Sequence, residues 1–182
     1  TGFREEKYKE WFGIDLTGVR KYVLVNKLLP AFGIYQRALT WIPLRKALER
    51  EKPDLLWIDT GIYKPVRLLL RDVAVIEYIH FPTPKWEEIL DYHIKYSKFP
   101  WNIYFRGFVA LYNMFGRENP FQYADIVACN SSYIKNMIWE IWGGVAHVVH
   151  PPVLVKSLLP HSGKGFDERY GVAMIGRISP EK

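Results

Sequence analysis

The side chains best suited to chemistry stand in short polar clusters next to apolar runs. His80 lies in Tyr78-Ile79-His80-Phe81-Pro82, and Pro82 with Pro84 stiffens the exit from that run. A histidine at the carboxyl end of a parallel strand stands where open α/β sheets bind ligands. The same residue could instead be a core imidazole satisfied by a backbone carbonyl. Asp59-Thr60-Gly61 follows a second apolar run and by its residue types reads first as a common turn. Asn130-Ser131-Ser132 sits between a third run and a helix-like stripe. Serine there caps the helix, and the helix amino end offers N–H groups and positive potential to an anion. Gly176-Arg177 and Pro180-Glu181-Lys182 follow the run Val172–Ile175 and read as a phosphate-binding turn. The single cysteine, Cys129, reads as a buried strand residue. No second His, Cys or carboxylate lies at ligand spacing from His80, so neither metal nor cofactor is expected.

The elements that must carry these clusters alternate along the chain. Strand-length apolar runs occur at Tyr22–Val25, Leu55–Ile58, Val73–Phe81, Ile126–Cys129, Val145–Val149 and Val172–Ile175. Helical spacing marks Ala38–Arg50, where Pro43 must start or kink the helix. Lys85–Tyr96 and Trp101–Phe115 are helical as well, as is a segment from Ser131/Ser132 to Gly143-Gly144. Runs that are apolar throughout imply strands buried on both faces. Strand–helix–strand repetition then predicts a doubly wound, Rossmann-like parallel α/β sheet.

Aromatic residues make up 16% of the chain and hydrophobic ones 49%, which excludes disorder. The formal net charge is +6, a balance suited to nucleic acid, phosphorylated substrates or an anionic membrane. No nucleic-acid motif is present, so that partner is not expected. Lys95, Lys98 and Phe99 precede Trp101–Phe108, an aromatic and cationic stretch that suits a membrane interface or a packed core. A lone cysteine favours a reducing compartment, which points to a cytoplasmic protein, peripheral at most to a membrane.

The order of the clusters is more specific than any one of them. Asp59-Thr60-Gly61, "YIHFP", "ADIVACNSSYIKNMI", "VVHPPV" and "GRISPEK" together resemble the family 4 retaining glycosyltransferases, which have the GT-B fold of two facing Rossmann-like domains. Within that family the pattern is most similar to mannosyltransferases that extend dolichol-linked oligosaccharides through α-1,2 linkages. The resemblance runs from about Pro53 onward. It implies an acceptor-side domain over 1–169 and the first strand and start of a donor-binding domain over 170–182. It further implies that His80 faces the transferred sugar and that Asp59, Thr60, Gly61, Tyr78, Asn130 and Ser131 line the substrate cleft. Arg177 and Lys182 would hold the diphosphate of a nucleotide-sugar donor, and a glycan or lipid-linked glycan would accept the sugar. The family's Glu-x-Phe-Gly region and its Gly-rich loop have no counterpart here, and "TGFREEKY" resembles the end of the family's second strand. Two other readings stay open. One is a non-catalytic peripheral membrane or glycan-binding module; the other is a nucleotide-sugar epimerase.

Overall fold

The structure is a computed structural model that describes residues 5–25, 32–59, 61–116, 119–152 and 165. The chain separates into two compact units, Thr1–Val149 and His150–Lys182. The expected boundary after residue 169 falls within the second unit. The expected strand Val172–Ile175, with Arg177 and Lys182, lies outside the described residues.

The first unit is an α/β structure built on one four-stranded parallel sheet. Its strands are β1 (Leu55–Ile58), β2 (Ala74–Ile79), β3 (Ile126–Cys129) and β4 (His147–Val148), in that spatial order. β1 and β3 keep the limits of their apolar runs, whereas β2 and β4 are shorter than theirs. The helices are α1 (Glu5–Phe12), α2 (Gly33–Ala38), α3 (Trp41–Glu51), α4 (Lys64–Arg67), α5 (Thr83–Tyr96), α6 (Trp101–Phe115) and α7 (Ser132–Trp142). Pro43 falls in the first turn of α3, where its missing N–H costs no helical hydrogen bond, so it starts the helix.

Register fixes which side chains share a face, because strand side chains alternate. Trp57 pairs with Ile76, Ile76 with Ile126, and Cys129 with Val148. One face therefore carries Ile58, Val75, Ile79, Val127 and Cys129. Ile58 and Val75 pack with Leu48 of α3 and Val66 of α4. Ile79, Val127 and Cys129 pack with Ile134, Met137 and Ile138 of α7. A third cluster, Ala38, Tyr63, Leu90, Phe108 and Tyr112, ties α2, α5 and α6 together. In α6, Gly107 makes room for Tyr35. A Cβ there would come within 2.6 Å of the Tyr35 hydroxyl, which donates to the Tyr104 carbonyl at 2.7 Å.

The opposite face meets the expectation of burial on both sides only in part. Tyr78 and Ala128 are buried there, in the two central strands, whereas Leu55, Trp57 and Ile126 are exposed, Trp57 by 57%. Leu55 and Trp57 belong to the edge strand β1, and Leu55 and Ile126 each open a strand. Helices α4 and α7 both pack on the first face. The described strands contain no reversal of order, the usual feature of a doubly wound sheet.

Two expectations at the amino end are corrected. Tyr22–Val25 is irregular chain, and no strand among the described residues pairs with it. Glu5–Phe12, within and beyond "TGFREEKY", is helix α1 rather than a strand end. Its Tyr8, Trp11 and Phe12 fall three and four residues apart, which is helical spacing.

Candidate functional site

Parallel strands place the residues that follow them along one edge, and three of the clusters meet there. Asp59 follows β1, His80 follows β2, and Asn130 with Ser131 follows β3. The His80 imidazole Nε2 lies 3.9 Å from Asp59 Oδ2. That gap is too wide for a direct hydrogen bond and close enough for charge attraction when the ring is protonated. Both side chains are more than half exposed, 56% for His80 and 58% for Asp59. The histidine is thus a surface group at a strand end and not a core imidazole.

The backbone under His80 is held from β3. The Asn130 side-chain amide donates to the His80 carbonyl at 3.1 Å, and Asn130 Oδ1 accepts from the Ser131 hydroxyl at 3.0 Å. Ser131 in turn accepts from the Ile134 N–H at 3.3 Å and so caps α7. At its other end α7 closes on Gly143 in the left-handed conformation. Capping accounts for Ser131, and bracing of His80 accounts for Asn130.

Tyr78 is buried beneath this edge, and its hydroxyl donates to the Val149 carbonyl at 2.7 Å. Its ring meets the His80 ring edge-on at 4.9 Å and stacks with Trp57 at 5.9 Å. The structure gives Tyr78 a positioning place: it supports the imidazole and fixes the chain just after β4. Gly61 is buried with φ +77, a conformation that strains residues with a Cβ, so the turn after β1 needs glycine there. Thr60 lies outside the described residues. Cys129 is fully buried, and burial pushes its thiol above the usual range.

Two residues near this edge carry no expectation from sequence. Trp57 sits on the exposed face beside Tyr78, and the single indole in "LLWI" was its only sign. Glu77 is buried at 4% exposure inside β2, opposite Val127, where a carboxylate interrupts an otherwise apolar strand. Among the described residues, no group of three or more His, Cys, Asp or Glu side chains gathers to hold a metal ion.

The aromatic and cationic stretch divides between core and surface. Phe108 and Tyr112 of α6 are buried, whereas Phe99, Trp101 and Ile103 are exposed, Phe99 by 77%. Lys95 and Lys98 are exposed beside them. Among the described residues, no helix is long and apolar enough to cross a membrane.

Comparison with protein-family models, curated proteins and solved structures finds no match for the chain.

Proposed function

We propose that this chain is the acceptor-side part of a retaining glycosyltransferase, with a Rossmann-like domain of the GT-B type. It transfers a sugar, mannose by the nearest resemblance, from a nucleotide donor to a glycan or lipid-linked glycan. The observation that carries this reading is the convergence of Asp59, His80 and Asn130 at the carboxyl ends of three adjacent parallel strands. That edge is the general ligand-binding position of open α/β sheets.

In this reading the exposed His80 orients the transferred sugar and the attacking hydroxyl, with the Asp59 carboxylate beside it at the same edge. Tyr78 and Asn130 hold the imidazole and its backbone in place. Gly61 after β1 and Ser131 at the start of α7 border the same edge, and the resemblance adds Thr60 as a substrate contact. By the resemblance, Arg177 and Lys182 would stabilise the departing diphosphate, meeting the charge on the leaving group without a metal. The exposed Phe99, Trp101 and Ile103 with Lys95 and Lys98 favour attachment to the cytosolic face of an anionic membrane, where a lipid-linked acceptor would be met.

The test is a transfer assay on the full-length protein with a panel of nucleotide sugars and glycan acceptors, the product anomer being read by proton NMR. The reading requires transfer with retained configuration. Inversion, or epimerisation of the nucleotide sugar without transfer, would replace it.

A further inference from the structure

A second site lies away from the strand ends. Residues 20–24 and helix α3 line an open cavity of about 570 Å³. Four cations line it, Arg20, Lys21, Lys46 and Arg50, and Val23 and Ile42 add apolar wall. Helix α3 leads into β1 at its amino end, whereas His80 and Asp59 follow the carboxyl ends of their strands, so the two places are distinct.

Glu51 builds the wall. Arg20 donates to Glu51 Oε2 at 2.6 Å, and the Tyr22 hydroxyl donates to the other carboxylate oxygen. One carboxylate thereby ties an irregular segment to α3 and holds Arg20 at the cavity. Lys46 and Arg50 are four residues apart, on one face of the helix. Both are exposed, and the side chain of neither makes an ion pair or hydrogen bond among the described residues. Arg45 is different: it pairs with Glu49 at 2.8 Å.

We propose that this cavity binds a phosphate ester. Lys46 and Arg50 seat the anion with Lys21 and Arg20 beside it, and the ester's apolar part lies against Val23 and Ile42. Several cations converging on a space far larger than one carboxylate suit the multiple oxygens of phosphate, which an arginine fork can engage in pairs. The exposed Val23 and Ile42 make the lining amphipathic. A soluble phosphate compound and a phospholipid headgroup share this chemistry. The inference is independent of the glycosyltransferase reading.

The experiment uses the full chain and two probes: inorganic pyrophosphate by calorimetry, and phosphatidylcholine vesicles with and without phosphatidic acid by sedimentation. The wild type should bind at least one probe. Binding to pyrophosphate identifies a soluble source, and binding only to vesicles carrying phosphatidic acid identifies a headgroup; either supports the site. The double variant Lys46→Ala/Arg50→Ala should weaken that binding by about ten- to a hundredfold, the loss expected for two charge-assisted contacts. Lys64→Ala/Lys135→Ala removes the same charge on α4 and α7, which do not line the site, and should leave binding within about twofold, since charges away from the site are screened. Circular dichroism should show all variants folded. No binding of either probe by the wild type would overturn the proposal, and so would equal losses in the two double variants.

Discussion

The Asn130 side chain donates a 3.1 Å hydrogen bond to the backbone carbonyl of His80, joining the ends of β3 and β2 one residue beyond the sheet. Because Asn130 also accepts from Ser131, the cap of α7, the position of His80 is coupled to the start of that helix. Asn130→Ala should cost about 1 kcal/mol of stability, the usual net value of one such hydrogen bond. Turnover in the full-length protein should fall about tenfold with KM nearly unchanged, because a displaced His80 loses orientation more than affinity. Asn130→Asp keeps the acceptor for Ser131 but cannot donate to the carbonyl, so it should resemble the alanine variant. Thermal unfolding and steady-state kinetics together check this. Wild-type turnover in Asn130→Asp would show that the brace does not act on His80.

Gly107 and Tyr35 give a packing prediction with a change of sign. In the wild type, Gly107→Ala gains about 1 kcal/mol of helix propensity but drives a methyl into the Tyr35 hydroxyl at 2.6 Å. Overpacking of that kind costs about 1–3 kcal/mol, so the variant should be neutral to destabilised. In a Tyr35→Phe background the obstructing oxygen is gone, and the same substitution should stabilise. Urea unfolding of the four proteins measures the coupling. Additive effects would mean that the helix pair α2–α6 adjusts without cost.

Glu51 makes the structure around the second site sensitive to acid. The Tyr22 hydroxyl first, and then Arg20, hold its carboxyl below the ordinary glutamate value of 4.5. A depressed carboxylate contributes stability that is present above the unfolded value and is lost as pH falls through the folded one. The tie between the Arg20–Tyr22 segment and α3 should therefore persist above about pH 4.5 and be released on acidification below it. Tyr22 ring resonances followed by NMR against pH would show the transition, and Glu51→Ala, which removes both acceptors, should show the released state across the range. An unchanged Tyr22 environment in Glu51→Ala would contradict the tie.

Local signals carried most of the fold. β1, β3 and α6 keep the limits that apolar runs and helical spacing set, and α7 keeps its serine cap and glycine end. These features depend on neighbouring residues, which a sequence displays directly. The failures depend on partners distant in the chain. Tyr22–Val25 has the apolar content of a strand and, among the described residues, pairs with no neighbour. Leu55, Trp57 and Ile126 look as buried as Val75, but they stand on an edge strand or at a strand start, and neither place is written in any one run. At the candidate site, the proximity of Asp59 and His80 follows from two strands ending side by side. The service of Asn130 to His80 spans fifty residues, and only the fold reveals it.

We propose that His80 works on substrate at an open strand end. The most direct measurement is sugar transfer by the full-length protein, wild type against His80→Ala, with unfolding followed in parallel. Because the side chain is 56% exposed, its removal should leave the unfolding midpoint almost unchanged. Turnover should fall by about two orders of magnitude, a typical loss for a positioned polar group at a reacting centre. A folded variant with wild-type turnover would contradict the account.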